Sequence, residues 1–371
     1  MIHVIMDTLV FGLQKMGGVS VVWCEYIQRL IKDSRINLTL MDIPVNYISS
    51  MFSLIDTRNA NHIPERNMNL QLLRNTKPRF SVPNVPTIFQ STYLRICRRK
   101  NVKNVVMVHD VTHQFFGHGI KKWLNTFQKR KAISVADGII CVSQNTLNDI
   151  HKLFPKSQLK KTVVIYNSAC DDYHVLNSSS LPKKFSEIAN TSFIMYVGDR
   201  FAYKNANFVI DIIRSTNNMH CVFIGGKDFS EQERKRMEGF EDRFHRFTGV
   251  PNSELNILYN AAHCLIYPSL YEGFGIPVLE AMKAGCPVIA FNNSSIPEVL
   301  RGSGILLENN DYFGCLEAIN KLNDEKFRSE LISHQIEAAS YFSWDASYEK
   351  LICFYSDVIS EKKIIPNYGQ S

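Results

Sequence analysis

The chain has 371 residues, 45% of them hydrophobic and 21% charged, which is enough apolar material for two ordinary domains with a core each. Its net charge of +7 is a small basic excess for this length, so we expect no nucleic-acid partner. The nine cysteines show no C-x-x-C pair and no zinc-binding spacing, and no apolar run reaches the roughly 20 residues needed to cross a bilayer. With no signal peptide visible, the sequence predicts a cytoplasmic protein without a metal site.

Short apolar segments alternate with helical patterns in the first half of the chain, as in parallel α/β proteins. The segment 43–80 is the least regular part, and we expect a loop there. Helices are predicted at 20–31, 121–136 and 144–153. The predicted strands are His3–Met6, Leu38–Met41, Thr87–Phe89, Val105–Val108, Gly138–Val142 and Val163–Ile165.

Two candidate site motifs lie in this half. Gly17 and Gly18 follow the first predicted strand and precede a helix that begins near Ser20. Such a loop exposes backbone N–H groups and lets a phosphate or a sugar approach closely, but it is not the G-x-G-x-x-G pattern of nicotinamide-binding proteins. His109 ends another predicted strand, where it could contact a hydroxyl or a carbonyl. Taken alone, each motif also fits an ordinary turn or a strand-end histidine.

Two basic clusters concentrate the positive charge of the chain. The first contains Arg95, Arg98, Arg99, Lys100 and Lys103. The second contains Lys121, Lys122, Lys129, Arg130 and Lys131, with Trp123 and Phe127 interleaved. We interpret the clusters either as solvated helix faces or as a surface for an anionic membrane or a phosphate-bearing acceptor, where each basic residue contributes roughly 1 kcal/mol.

A polar stretch from Asp171 to Ser186 is expected to link two domains. A second alternating set of elements follows it. The predicted strands are Phe193–Val197, His220–Ile224, Phe244–Phe247, Cys264–Tyr267, Pro287–Ala290 and Gly304–Leu307. The predicted helices are at 206–215, 230–238, 253–261, 277–284, 311–323 and 344–359.

The second half opens with a strand that ends at Gly198. Arg200 and Lys204 follow it, four residues apart at a helix entrance, and two cations in that position can hold a diphosphate. A surface basic pair is the plainer interpretation. Further on, Val250 lies in a strand-to-helix turn, where its backbone could hydrogen-bond a nucleobase edge.

The most specific motif is Glu272-Gly-Phe-Gly-Ile-Pro-Val-Leu-Glu280. Gly273 and Gly275 allow a tight turn, and Pro277 fits the first turn of a helix. The unpaired N–H groups at a helix start form an anion site, and a carboxylate lies on either side of it. This arrangement suits a ligand with both phosphate and hydroxyl groups, such as a nucleotide sugar.

In this order the motifs resemble one known family. A Gly-Gly loop, a strand-end histidine, Gly-x-Arg-x-x-x-Lys-Asn, Thr-Gly-Val and Glu-Gly-Phe-Gly-x-Pro-x-x-Glu-Ala follow one another. The chain resembles the GT-B-fold retaining glycosyltransferases of family 4 from Met1 to about Val299, most weakly in 43–100. The resemblance implies an α/β fold of two Rossmann-like domains that face each other across a cleft. These would be an acceptor-side domain at 1–170, joined by the C-terminal helix of 344–371, and a donor-binding domain at 187–343.

The resemblance also implies a role for each motif residue. Glu280 would bind the ribose hydroxyls of the donor, and Glu272 would stabilise positive charge at the anomeric carbon of the transferred sugar. Arg200 and Lys204 would hold the departing diphosphate, and His109 would contact the donor sugar or the reacting centre. The other donor-binding residues would be Gly17, Gly18, Val250, Gly273, Phe274, Gly275, Ile276 and Pro277.

The activity that the resemblance implies is a retaining, metal-independent hexosyl transfer. A hexosyl or deoxyhexosyl unit, with a mannose-type donor as first choice, would move from a nucleoside-diphosphate sugar to a saccharide acceptor. We expect a lipid-linked acceptor in bacterial O-antigen or capsule biosynthesis, with peripheral contact to the anionic inner membrane as an open question. No cofactor is expected beyond the nucleotide sugar itself. The alternatives are a non-catalytic GT-B module that binds sugar nucleotides or a partner, a transferase with a soluble acceptor, and a nucleotide-sugar epimerase.

Overall fold

A computed structural model of the chain describes residues 1–14, 17–44, 50–82, 84–177 and 180–360. The chain forms two compact units: Met1–Asn167 together with the chain from Trp344 onward, and Ser168–Ser343. Several predicted segments lie partly outside the described residues: the Gly-Gly loop at 15–16, the 43–80 segment at 45–49, the expected linker at 178–179 and the C-terminal element at 361–371.

The first unit is built on a seven-stranded sheet in the order β3-β2-β1-β4-β5-β6-β7. Every pair of neighbouring strands is parallel. The strands are β1 (Ile2–Asp7), β2 (Ile36–Asp42), β3 (Asn61–Pro64), β4 (Thr87–Ser91), β5 (Val102–Val108), β6 (Gly138–Cys141) and β7 (Lys161–Val164). The α-helices are α1 (Val10–Leu13), α2 (Gly18–Lys32), α3 (Ser50–Ser53), α4 (Leu70–Leu73), α5 (Thr112–Phe116), α6 (Gly119–Val135) and α7 (Gln144–Leu153).

The second unit is built on a six-stranded parallel sheet in the order β10-β9-β8-β11-β12-β13. The strands are β8 (Phe193–Val197), β9 (His220–Ile224), β10 (Phe244–Phe247), β11 (Cys264–Tyr267), β12 (Val288–Phe291) and β13 (Ile305–Leu307). The α-helices are α8 (Ala206–Arg214), α9 (Glu231–Met237), α10 (Asn252–Ala261), α11 (Ile276–Lys283), α12 (Ile296–Leu300), α13 (Tyr312–Lys321) and α14 (Glu325–Ser340).

The central strands of both sheets are buried, because helices cover parallel sheets on both faces. In the second unit, the side chains of β8, β9 and β11 join those of α8 in one core cluster. Short 3-10 helices occupy Pro155–Leu159, Lys183–Ile188, Ala202–Lys204 and Glu241–Arg243. The two-sheet α/β architecture that the sequence predicted is thus confirmed.

The last helix, α15 (Trp344–Ile359), belongs to the first unit. It packs against α2, β4 and β5 and buries one apolar face that includes Leu351 and Tyr355. The Tyr355 hydroxyl donates to Oε1 of the buried Gln90 at 3.2 Å, and Arg29 on α2 forms an ion pair with Asp345 at 2.8 Å. Apolar burial and paired polar groups therefore both attach this helix to the first sheet.

The structure contains elements that the sequence analysis did not predict. The segment expected to be a loop contains the edge strand β3, whose residues are mostly exposed and so show no buried pattern. The helix α14 was not predicted. Few of its side chains are buried, so its sequence lacks the regular apolar spacing by which a helix is recognised. Its start carries a capping signal nonetheless, since the Asp324 side chain accepts from the amides of Lys326 and Phe327.

The stretch that was expected to link two domains packs on the second unit at its start. The His174 amide donates to Asn256 Oδ1 at 3.1 Å, and the Leu176 amide donates to Asn260 Oδ1 at 2.8 Å. Lys283 forms an ion pair with Asp171 at 3.0 Å. Side chains of α10 and α11 thus satisfy this backbone, which polar composition alone does not reveal.

Candidate functional site

The candidate site lies where the strand order of the second sheet reverses. From β8 the chain proceeds to β9 and β10 on one side, and from β11 it proceeds to β12 and β13 on the other. In open parallel sheets, the loops at such a switch point diverge and leave a crevice at the carboxyl ends of the strands. The loop after β8 carries Arg200 and Lys204, and the loop after β11 carries Glu272. The Leu270 amide ties the two loops by donating to the Tyr203 carbonyl at 2.7 Å.

Lys204 and Glu272 form an ion pair at this point. Lys204 Nζ lies 2.5 Å from Glu272 Oε1 and 3.4 Å from the Tyr267 hydroxyl. The two charged side chains are only 16% and 11% exposed, so water screens their attraction less than that of a surface pair. A carboxylate held by a cation in this way has a fixed position from which it can face developing positive charge.

Two serines that sequence reasoning missed hold the Glu272 loop in place. The Ser294 hydroxyl accepts from the Glu272 amide at 2.8 Å. Ser295 is completely buried, and its hydroxyl donates to the Phe274 carbonyl at 2.8 Å with the Glu272 carbonyl as an alternative acceptor at 3.0 Å. Both serines follow β12, in the turn Asn292-Asn-Ser-Ser. This polar turn directly after a buried strand was the available signal.

The start of α11 has the geometry of an anion site. Gly275 precedes the helix with φ +104°, a conformation that strongly favours glycine. Pro277 has no N–H, and the Val278 amide donates to the Gly275 carbonyl at 3.0 Å. In the described part of the chain, the amides of Gly275 and Ile276 make no hydrogen bond, so they are the donors that a phosphate could use.

Glu280 lies one turn further along α11 in a tyrosine-lined environment. The Tyr259 hydroxyl donates to Glu280 Oε2 at 3.1 Å, and the Tyr173 hydroxyl, which donates to Asn252 Oδ1 at 3.2 Å, also interacts with this carboxyl group. Burial raises the pKa of Glu280 to about 7, even though both tyrosine hydroxyls favour the ionised form. The carboxyl group therefore changes charge near neutral pH. A ligand that donates hydrogen bonds from its hydroxyl groups would favour the ionised form, because the carboxylate accepts them.

Arg200 is held by a carboxylate of its own. Its Nε donates to Glu233 Oε1 at 2.7 Å and its Nη2 donates to the Lys227 carbonyl. Glu233 is fixed in turn by a capping box with Ser230 at the start of α9. The Ser-x-x-Glu spacing of this box was readable in the sequence, but its connection to Arg200 was not.

These contacts do not include one guanidinium nitrogen of Arg200. Nη1 is buried and has no partner among the described residues. Each of the two cations that were expected to hold a diphosphate thus has a carboxylate partner. The net charge of this set is zero, because it consists of two cations, Arg200 and Lys204, and two carboxylates, Glu233 and Glu272. A diphosphate would add to this balanced set rather than meet two free cations.

Val250 lies after β10, on the far side of β9 from the switch point. Neighbouring strands are spaced by about 4.8 Å, so two such spacings, with β9 in between, separate this loop from the end of β8 by roughly 10 Å. The preceding Gly249 adopts φ +63°, which turns the chain from the strand into α10. The structure therefore places Val250 on the same edge of the sheet as Lys204, outside the ion-pair cluster.

The predicted residues of the first unit lie at the carboxyl end of its sheet. Gly17 and Gly18 begin α2 after β1, and His109 directly follows β5. The His109 ring meets the Trp23 ring edge-on at 6.0 Å, and its Nε2 is buried without a partner in the described chain. Burial lowers the pKa of His109 to about 4. The imidazole is therefore neutral at pH 7, and its buried Nε2 lacks a hydrogen-bond partner among the described residues.

The two basic clusters are not simply solvated faces. Arg95 and Lys129 are 2% and 5% exposed. Lys129 Nζ donates to the Asp110 carbonyl at 2.6 Å and to Gln114 Oε1 at 3.0 Å. Among the residues with described side chains, Arg98, Arg99, Lys100, Arg130 and Lys131 are exposed. The side chain of Lys121 lies outside the described set.

The described residues also bear on membrane crossing and metal binding. No helix there has the length and apolar character needed to cross a bilayer. No three His, Cys, Asp or Glu side chains in the same set are grouped so as to hold a metal ion.

Comparison with known proteins gives matches in both units. The model described as Glycosyltransferase Family 4 matches residues 4–170, and the model described as Glycosyl transferases group 1 matches residues 178–339. The chain is 28% identical over 228 residues to O-antigen chain mannosyltransferase B of Escherichia coli. That alignment covers 58% of this chain and 59% of the relative, so the chain spans less than two thirds of that relative's length.

Two solved structures are similar over nearly the whole chain. Sucrose-phosphate synthase from Thermosynechococcus elongatus has a TM-score of 0.76 at 17% identity, covering 97% of this chain and 100% of that one. Anabaena HepE in complex with UDP and glucose has a TM-score of 0.75 at 15% identity, covering 96% and 100%. At these identities the likeness shows the fold. Because the fold agrees and the two family models together extend over both units, the chain belongs to the GT-B-fold glycosyltransferases of family 4.

Proposed function

We propose that the chain transfers a hexosyl residue of mannose type from a nucleoside-diphosphate sugar to a saccharide acceptor of a bacterial surface polysaccharide. The observation that carries the proposal is the Lys204–Glu272 ion pair beside the Gly275 helix start, at the switch point of the second sheet. The mannosyltransferase name of the Escherichia coli relative supports the sugar and the acceptor class. The UDP and glucose bound to the Anabaena protein support the donor class.

Each group of the site has a chemical task in this proposal. Ionised Glu280 accepts hydrogen bonds from the ribose hydroxyls. The amides of Gly275 and Ile276 and the unpaired Nη1 of Arg200 donate to the diphosphate. Glu272, oriented by Lys204, faces the anomeric carbon, where positive charge develops as the glycosyl bond lengthens.

The transfer step that we propose needs no second carboxylate. The acceptor hydroxyl oxygen bonds to the anomeric carbon while the bond from that carbon to the β-phosphate oxygen breaks. The bonding electrons leave with the diphosphate, and the hydroxyl proton passes to a diphosphate oxygen. Attack from the face that the diphosphate leaves would retain the anomeric configuration, and no metal ion is required in this scheme. Anomeric proton NMR of the first-formed product tests retention, and activity in EDTA tests metal independence.

The decisive test compares two ion pairs of the second unit. Lys204→Ala and Glu272→Gln should each lower nucleoside diphosphate release by about 10²- to 10³-fold, because each removes preorganised charge from the reacting centre. The assay uses UDP-, GDP- and dTDP-hexoses with an oligosaccharide acceptor. The control is the Lys184–Glu254 pair, which lies at the protein surface, and Lys184→Ala and Glu254→Gln should retain full turnover.

The results separate the proposal from its alternatives. Near wild-type turnover by Lys204→Ala and Glu272→Gln would contradict the proposed site. A chain that is stabilised by a sugar nucleotide yet hydrolyses and transfers none would be a binding module instead. Transfer to a free saccharide but not to a lipid-linked one would identify a soluble acceptor.

A further inference from the structure

A small basic pocket lies within the first unit, and none of the candidate catalytic residues lines it. It has a volume of about 60 Å³ and is lined by chain segments at 74–77, 94–98 and 127–131. Five of the described lining residues are basic and none is acidic. The basic residues are Arg74, Lys77, Arg95, Arg98 and Lys131. This volume is several times the roughly 10–15 Å³ that one water needs, and it accommodates one tetrahedral phosphate group.

Arg95 is the innermost of these cations and has no exposed side-chain surface. Its Nη1 donates to Glu65 Oε1 at 2.6 Å, and its Nε donates to the Thr76 carbonyl at 3.3 Å. Asp7 Oδ2 lies 3.7 Å from Nη1. Its Nη2, by contrast, is buried with no hydrogen-bond partner in the described chain. The guanidinium is therefore held rigidly on one side while its other side lacks an acceptor, and buried polar groups without partners are rare in native proteins.

Two residues near Arg95, Arg74 and Leu94, also have unusual local structure. The Nε of Arg74 is also buried without a partner among the described residues, and its guanidinium lies over the Tyr93 ring at 5.5 Å. Leu94, directly before Arg95, adopts φ +57°, which is a strained conformation for a bulky residue. Strain of this kind persists where surrounding structure imposes it, often at ligand sites.

The charge around the pocket favours an anion. The five lining cations exceed the two carboxylates behind Arg95, Glu65 and Asp7, by three charges (5 − 2 = 3). The two carboxylates are buried and hold Arg95 through Nη1, whereas Lys77, Arg98 and Lys131 are exposed. A dianion at Nη2 would meet cations from three segments of the chain.

We propose that this pocket is a binding site for a phosphate monoester or diphosphate group. The ligand accepts hydrogen bonds from Arg95 Nη2 and Arg74 Nε and is enclosed by the rim cations. Such a group could belong to a free phosphate or to a lipid. The lipid source has support from α6, because Phe127 lines the pocket and stacks on Trp123 at 5.7 Å, and both rings are more than half exposed.

The test measures binding directly and does not depend on the proposed transfer activity. Inorganic diphosphate is titrated into the full chain by calorimetry, with excess UDP present to occupy any nucleotide site. Arg74→Gln/Lys131→Gln should lose at least ten-fold in affinity, because charge-assisted hydrogen bonds are removed. The matched control, Arg99→Gln/Lys100→Gln, removes the same charge from exposed residues that do not line the pocket and should bind as the wild type does.

A second variant tests the buried arginine without removing its charge. Arg95→Lys keeps a cation for Glu65 but loses Nη2, so it should also weaken diphosphate binding at least ten-fold while the circular dichroism spectrum stays unchanged. If the pocket variants and the surface control bind diphosphate equally, or if the wild type does not bind it, the proposal is overturned.

Vesicle sedimentation distinguishes the two sources of phosphate. A lipid headgroup would be identified by binding to phosphatidylglycerol vesicles but not to phosphatidylcholine vesicles. This binding should be lost in Arg74→Gln/Lys131→Gln and in Trp123→Ser/Phe127→Ser, and inorganic diphosphate should reverse it. Diphosphate binding that depends on the pocket without any vesicle binding would identify a free ligand. Either result supports the site, whereas vesicle binding that ignores the pocket variants and diphosphate would contradict the lipid source.

Discussion

Glu280 shows how burial sets the chemistry of a single carboxyl group. Its pKa is raised to about 7 from the ordinary value of 4.5 by burial. Between these two pH values the folded chain holds a proton that the unfolded chain has lost. The free energy of unfolding therefore falls as pH rises through this window, and above pH 7 the ionised group destabilises the fold.

We predict that Glu280→Gln stabilises the protein at high pH and weakens donor binding. The uncharged amide removes the cost of burying a carboxylate, so the variant should gain up to about 3 kcal/mol at pH 8 and little at pH 4.5. Urea denaturation at both pH values and calorimetry with the donor measure the two effects. The control is Glu254→Gln, a carboxylate near the surface. An unchanged pH slope in Glu280→Gln would show that another group titrates there.

A donor held by Glu280 should bind in a pH-dependent way. The ionised carboxylate accepts hydrogen bonds from two hydroxyls, whereas the protonated form must first lose or redirect its proton. The affinity of the wild type for its sugar nucleotide should therefore rise from pH 6 to pH 8, with proton uptake or release visible as a buffer-dependent binding enthalpy. The same titration of Glu280→Gln should show no such rise, and a parallel rise in the variant would exclude Glu280 as the cause.

At the scale of elements, the start of α11 depends on one glycine conformation. Gly275 has φ +104°, and a Cβ atom there would lie 2.7 Å from Ile296 Cδ1 on α12. Gly198, after β8, has φ +133° but open space at the Cβ position. Both glycines have a positive φ, but only at Gly275 would an added Cβ atom clash with a neighbour. Comparing them therefore separates the backbone cost of a substitution from its steric cost.

We predict that Gly275→Ala costs more stability than Gly198→Ala. Both variants lose about 1–3 kcal/mol because alanine disfavours this backbone region, and Gly275→Ala must also displace Ile296. Thermal unfolding of the single variants and of Gly275→Ala/Ile296→Val measures the difference. The double variant should be more stable than the sum of the single changes implies, because Ile296→Val removes the clashing methyl group. Simple additivity would contradict the steric explanation.

The element scale also shows what local patterns predict well. Gln144–Leu153, Cys264–Tyr267 and Trp344–Ile359 have the predicted bounds, because apolar periodicity and capping residues act over a few positions. The missed α14 and β3 bury few side chains. Packing and sheet pairing stabilise them, and neither leaves a strong pattern in the local sequence.

At the scale of the whole molecule, α15 is remote in sequence from the unit that it completes. Its Leu351 and Tyr355 are fully buried against the first sheet, more than 170 residues after the end of that unit's main segment. The stability of the first unit thus depends on the last part of the chain, although the second unit lies between them in sequence.

We predict that Leu351→Ala destabilises the first unit selectively. Removing a buried leucine side chain costs about 2–5 kcal/mol. Hydrogen exchange should accordingly speed up in β4 and β5, which contact α15, and stay unchanged in β8 and β11. The control is Lys350→Ala, an exposed position on the same helix. Equal loss of protection in both units would mean that they unfold together.

The sequence by itself determined the α/β class, the positions of most strands and the glycine-rich start of α11, because periodicity, glycine and proline act locally. It also provided the motif order of the family. Only the tertiary structure decided which charges meet: Lys204 with Glu272, Arg200 with Glu233, and Arg95 with Glu65, at sequence separations of 68, 33 and 30. These pairs depend on strand order and on loops that converge at one edge of a sheet, and such long-range geometry leaves no pattern in neighbouring residues.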